Sequence, residues 1–238
     1  MEFRTRLLST LKAIQLVLDV PGVLVIGSEV PNLLQPEAAS TLVVSQDVDI
    51  GVPVARLEDV KKALREVNHL APSEEEPSVW LPSRPDLIEV NFVGMDPDGE
   101  DPADAYVVED AELPLLVFGA LSLLRPGGRL GLEGLEVPVP RPAGLLLEKL
   151  LTERVAVKGA RDLLVAVGLL IVMRERDFEE LEEEYFDLTA ENRYCVRSNL
   201  TILSLMPHGV EGMPDPEPQR ASIAALLAKL EALEARTE

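Results

Sequence analysis

The chain has 238 residues, 47% of them hydrophobic, 27% charged and 4% aromatic. That is enough apolar content to fill a core, which excludes disorder along the whole chain. The formal charge of −20, from 42 acidic and 22 basic residues with no basic run, argues against non-specific nucleic-acid binding and against docking on an anionic membrane.

One cysteine, Cys195, and two distant histidines, His69 and His208, argue against an intrachain disulfide, a thiolate metal cage or a histidine zinc site. The first residues lack the unbroken apolar core and small-residue cleavage site of a secretory signal. The longest apolar runs, Leu113–Leu124 and Leu163–Met173, fall short of the roughly 20 residues that span a bilayer. A soluble, cytoplasmic protein with no membrane partner is expected.

Residues 5–18 carry Leu7, Leu8, Leu11, Ile14, Leu16 and Leu18 at mostly helical spacing, which predicts one short amphipathic helix. Val23–Ile26 is a β-branched run that reads as a buried strand, ended by Gly27-Ser28-Glu29. Residues 31–40 admit a short helix around Glu37–Ser40 or a loop. Thr41–Val52 reads as a second strand holding Asp47-Val48-Asp49, and Leu57–Asn68 as a helix with His69 at its end. Four prolines over 71–86 predict a loop, followed by a third strand, Leu87–Val93.

The acidic stretch 96–112 reads as a solvated loop. It is not a calcium loop, because Asp101 and Val107 stand where that loop needs glycine and glutamate. Arg125–Arg129 reads as a turn, and Leu130–Val139 as a strand. Helices are expected over Ala143–Arg154 (opened by Pro142), from Gly159 to Met173, over Asp177–Asp187, over Arg193–Leu205 and over Ala221–Ala235. In the acidic helix 177–187, Phe178, Leu181 and Tyr185 are expected to pack inward. The expected order is an α/β (α+β) unit over residues 1–140, a helical part over 141–206, a proline-rich linker over 207–219 and a terminal helix over 220–238.

Asp47 and Asp49 stand two apart on a strand, so their carboxylates share one face. Paired carboxylates on one face repel unless a cation lies between them, and hard oxygen ligands favour Mg²⁺. Glu89 stands mid-strand in Leu87-Ile88-Glu89-Val90-Asn91. If its strand neighbours that of Asp47, it completes a three-carboxylate cluster suited to phosphoryl or nucleotidyl transfer. Gly27 lets a backbone approach phosphate closely, and the Ser28 hydroxyl is a further donor.

Gly27-Ser28 after one strand, Asp47-x-Asp49 on the next and a third carboxylate at Glu89 resemble the nucleotidyltransferase superfamily with the polymerase-β-like fold. The downstream segments Leu145–Leu151 and Lys158-Gly159-Ala160-Arg161-Asp162 are similar to the abortive-infection-type toxin nucleotidyltransferases and their uncharacterised relatives. The resemblance covers roughly residues 20–170. It implies a nucleotidyltransferase-like mixed β-sheet flanked by helices, with a helical C-terminal part. It also implies Mg²⁺ on Asp47, Asp49 and Glu89, with an NTP held by Gly27, Ser28, Lys149, Lys158 and Asp162. The implied activity is Mg²⁺-dependent transfer of a nucleoside monophosphate from the NTP to an acceptor, with release of pyrophosphate.

The acidic balance favours a protein or small-molecule acceptor over nucleic acid. This chain departs from the family in a longer, proline-interrupted spacing from Gly27-Ser28 to Asp47 and in a glutamate as third carboxylate. It also has no arginine between Gly27 and Asp47. The alternative is a catalytically inactive nucleotidyltransferase-like scaffold that binds or regulates a cognate partner protein. A homo-oligomer docked through the terminal helix is a further possibility. Cys195 reads as a small buried apolar residue.

Overall fold

A computed structural model describes residues 3–35, 47–99, 105–151, 157–207 and 214–235, with side chains from Asp162 onward in the helix that begins at Val157. The suggested helix or loop at Glu37–Ser40, the first part of the 41–52 run, the helix continuation over 152–154 and His208 lie outside these residues. So do residues 100–104 of the acidic stretch.

The chain is mixed α/β. Two helices, α1 (Phe3–Ala13) and α2 (Gln15–Leu18), precede strand β1 (Leu24–Ile26) and a short helix α3 (Val30–Leu34). Strand β2 (Asp47–Pro53), helix α4 (Leu57–Leu64), the strands β3 (Leu70–Pro72) and β4 (Val79–Pro82), and β5 (Glu89–Met95) follow. Next come β6 (Ala105–Val108), β7 (Leu115–Phe118), β8 (Pro126–Leu132) and β9 (Leu135–Pro140). The rest is helical: α5 (Pro142–Leu151), α6 (Val157–Val172), α7 (Glu175–Asp187), α8 (Ala190–Leu205) and α9 (Arg220–Glu234).

β5 is the hub of the main sheet. It runs parallel to β2 along its length, with Asp47 opposite Glu89 and Asp49 opposite Asn91. Its other edge is shared: β4 pairs antiparallel at Val90 and Asn91, and β7 pairs parallel at Gly94. β1 closes the β2 side antiparallel, and β3 and β6 are outer strands on β4 and β7. Alternation does the rest. Val48, Ile50, Val90 and Phe92 are buried on one face, while Asp47, Asp49, Glu89 and Asn91 are half-buried on the other. The start of β5 is pinned by α1, where Thr10 Oγ1, fully buried, accepts the Ile88 N–H at 2.9 Å.

Several local readings are corrected. The helix expected over 5–18 is two, because the backbone leaves helical geometry at Ile14 (φ −102°, ψ 19°). The proline-rich 71–86 segment is largely the β3–β4 hairpin; Pro72 and Pro82 end short strands near the sheet edge, where the missing N–H costs little. The acidic stretch contains strand β6, paired to β7. Arg125–Arg129 is no turn. β8 begins at Pro126 and absorbs Gly127-Gly128 as a register shift. The turn is Glu133-Gly134, both at positive φ (50° and 84°) between paired Leu132 and Leu135. That is the conformation a tight two-residue hairpin demands. His69 lies beyond the end of α4 in left-handed backbone (φ 69°), where its carbonyl accepts the Ser83 N–H and hydroxyl at 2.9 and 3.2 Å.

One buried apolar cluster runs from Leu7 to Leu230, through the sheet and the helices. Leu181 and Tyr185 of the acidic α7 are buried, and Phe178 packs beside them, as the spacing predicts. Cys195 is half-buried, its Sγ 3.8 Å from the Leu150 and Leu151 carbonyl oxygens. Among the described residues no helix is long and apolar enough to cross a membrane.

Two charged details stabilise or strain the helical part. Glu234 of α9 accepts hydrogen bonds from the Tyr185 hydroxyl (2.9 Å), Arg193 Nε (3.1 Å) and Arg197. Glu234→Ala strands these donors, and should cost about 1–3 kcal/mol in denaturant unfolding while raising hydrogen exchange in α9. Glu184 of α7 faces α5, and its Oε2 is buried with no hydrogen-bond partner among the described residues. Burial, then Glu180, pushes its carboxyl up to about 7 against the opposing pull of Arg125 and Arg141. A raised carboxyl favours the protonated folded state. Stability should therefore fall as pH rises from about 4.5 to about 7, and stay lowered above that. Glu184→Gln should match the wild type near pH 4.5 and exceed it at pH 8 in melting temperature.

Candidate functional site

The polar face of the sheet begins at the end of β1. Ile26 pairs with Asp49, and the chain then turns through Gly27–Glu29 into α3. Gly27 adopts φ +83°, and a Cβ there would lie 2.5 Å from Asp49 Oδ2. Two constraints therefore demand glycine: the left-handed backbone and the space taken by the Asp49 carboxylate. Ser28 is half-exposed beside it, its hydroxyl donating to Glu29 Oε1 at 3.2 Å. Glu29 is only 1% exposed and also accepts from Asn32 Nδ2 at 3.5 Å.

β5 supplies the other half. Its register sets Glu89 directly across from Asp47. Burial, then the Asp47 and Glu76 charges, raises the Glu89 carboxyl above its ordinary value. Asn91, across from Asp49, donates from Nδ2 to Asp47 Oδ2 at 2.9 Å and to Asp49 Oδ1 at 3.3 Å. Its Oδ1 is buried and has no partner among the described residues. Gly27, Ser28, Asp47, Asp49 and Glu89 are thus brought together by three neighbouring strand segments.

The helical residues form a second group. Lys149, at the C-terminal end of α5, is buried with its Nζ 2.9 Å from Glu148 Oε2 and 3.9 Å from Asp162 Oδ1 on α6. α6, which carries Asp162, packs on both α5 and α3, so it also contacts the segment following Gly27–Glu29. Lys158 lies in the first turns of α6, and its side chain is outside the described residues.

Three residues here were not singled out by sequence. Asn91 carried a usable signal, since it stands two residues after Glu89 and so on the same strand face. Glu29 and Glu148 carried none; each is a common acid beside a residue already noted, and only burial distinguishes them.

The polar face presents oxygen atoms of Asp47 and Asp49, the donor type that hard divalent cations prefer. Mg²⁺ keeps several waters and is usually held by one or two carboxylates together with substrate phosphate oxygens. Asp47 and Asp49 are two such carboxylates, both accepting from the Asn91 amide nitrogen. The expected three-carboxylate metal set of Asp47, Asp49 and Glu89 is not assembled, because among the described residues no group of three or more His, Cys, Asp or Glu is positioned to hold a metal. Compared with protein-family models and with curated proteins, the chain matches none.

The contact between Gly27 and Asp49 is testable without any ligand. Gly27→Ala should lose about 1–2 kcal/mol of stability through the positive φ and the clash. Asp49→Ala in the same chain should recover part of that loss, a non-additivity that urea unfolding of the two single variants and the double variant would measure.

Proposed function

We propose that the protein is a Mg²⁺-dependent nucleotidyltransferase that moves a nucleoside monophosphate from an NTP to an acceptor on a nucleotidyltransferase-like sheet. The observation that carries this reading is the packing of Gly27, at the end of β1, against the carboxylate of Asp49, with Asp47 in register with Glu89 on the next strand. In this reading the backbone of Gly27 and the hydroxyl of Ser28 face the triphosphate. Lys149, Lys158 and Asp162 serve the nucleotide from α5 and α6. Asp47 and Asp49 hold the cation, which when bound supplies charge neutralisation at the phosphates.

The acceptor oxygen attacks the α-phosphorus, the bond to the bridging oxygen breaks and pyrophosphate leaves. The acceptor proton passes to Glu89, the carboxylate in register with Asp47 on the next strand. The net charge of −20 repels a polyanionic acceptor, so a protein or small molecule is the favoured one. A second copy of the chain or a cognate protein partner is compatible with the same reading.

A second reading, an inactive nucleotidyltransferase-like scaffold that binds or regulates another protein, is favoured by one observation. The Lys149 ammonium is buried and already faces Glu148 and Asp162, so phosphate would have to compete for it. Calorimetric titration with each NTP, with and without Mg²⁺, separates the two. The enzyme reading expects Mg²⁺-dependent binding that falls at least tenfold in Asp47→Asn and Asp49→Asn. Binding unchanged in Asp49→Asn, or no NTP bound at all, would leave the scaffold.

A further inference from the structure

Among the described residues the outer strands of the main sheet are β1, β3 and β6, and they are protected unequally. β1 is buried along its length, and the short β3 ends in Pro72, which has no N–H to offer. β6 has neither defence. Among the described residues it pairs with β7 alone, over Ala105–Val108 and without a register shift, so its outward N–H and C=O groups have no ladder partner there. Ala105, Tyr106 and Val107 are exposed. Val107 stands opposite Leu116 of β7, and the two are 56% and 41% exposed. Exposed edges are usually blunted by a lysine, a proline or a bulge within the strand, and Ala105–Val108 holds none of these.

The charges around this edge select what can pair with it. Residues 96–112 hold eight acids and no base. Asp110 and Glu112 are neutralised by Lys61 and Arg65, at 2.8 and 3.1 Å. Asp96, which accepts the Tyr106 hydroxyl at 2.8 Å, and the exposed Glu109, next after Val108, have no ion pair among the described residues. A second copy of the chain would set these acids against themselves, and the same charges repel nucleic acid. We propose that the outer edge of β6 receives an extended basic segment of another protein as an added strand. Main-chain hydrogen bonds form the ladder. The side chains of the segment alternate: apolar ones lie over Val107 and Leu116, and lysines or arginines on the other face meet Asp96 beside Tyr106. β5 and β7 separate β6 from β2, so the added strand meets neither Asp47 nor Asp49.

The probe is a short labelled peptide alternating lysine and valine, titrated with the full chain by fluorescence anisotropy and located by ¹⁵N backbone amide spectra. The peptide should bind and shift the amides of Ala105–Val108. Two isomers, N-methylated on one or the other set of alternate residues, test the ladder on the unaltered protein. Strand addition uses the N–H groups of one set only, so one isomer should bind like the parent and the other about tenfold more weakly. Val107→Lys, which puts a charge on the edge, and Glu109→Lys should each weaken binding about tenfold. Both variants should keep the wild-type melting temperature, since both positions are exposed. If the two isomers bind equally, or both variants bind within twofold of the wild type, the peptide is held by net charge alone and the inference is overturned. No binding, or amide shifts confined to residues away from β6, overturns it equally. A concentration-dependent dimer that Val107→Lys abolishes would make a second copy the occupant and overturn it as well.

Discussion

Parallel pairing of β2 with β5 is the constraint on which the candidate site depends. It places Asp47 against Glu89 and Asp49 against Asn91, so three acids and one amide share a patch of sheet face. Like charges at that spacing are unfavourable, and the fold answers locally: an amide bridges the two aspartates, and the Glu89 carboxyl is raised in its proton affinity. The opposite face meets no such conflict, because Val48, Ile50, Val90 and Phe92 are buried there. The burial of that apolar face offsets the cost of gathering the charges on the other.

The elements around the sheet make the register hard to slip. A one-residue shift of β5 would send Glu89 and Asn91 into the core and Val90 and Phe92 to the polar face. Thr10 fixes the residue just before β5 through the Ile88 N–H. β4 and β7 share the far edge of β5, holding its two halves separately. Gly27 adds a steric check from the β1 side, since any side chain there would collide with Asp49. The helical part carries its own buried charges in Lys149, Glu148 and Asp162, held between α5 and α6.

Much of the local structure was legible because it obeys a period. The inward Phe178, Leu181 and Tyr185 of α7 and the alternation of β2 follow from 3.6- and 2-residue repeats. Where legibility failed, punctuation residues misled. Pro72 and Pro82 read as loop markers, yet they close the strands of a short hairpin near the sheet edge, which does not need their N–H groups. Gly127-Gly128 read as a turn, yet it is a register shift inside a strand, and the turn lies at Glu133-Gly134. Glycine and proline state which backbone conformations are allowed, not which neighbour is present.

The same division holds for the site. By itself the sequence determined that Asp47 and Asp49 share a face, that Gly27 ends a strand, and that Lys149 and Asp162 lie on successive helices, because each follows from spacing along one segment. Only the tertiary structure decided that β5 lies beside β2 with Glu89 and Asn91 in register, that Asp49 fills the space over Gly27, and that Glu29 and Glu148 are buried. Strand pairing and burial join segments tens of residues apart, and the free energy that selects those partners belongs to the packed core as a whole, so no local repeat records it.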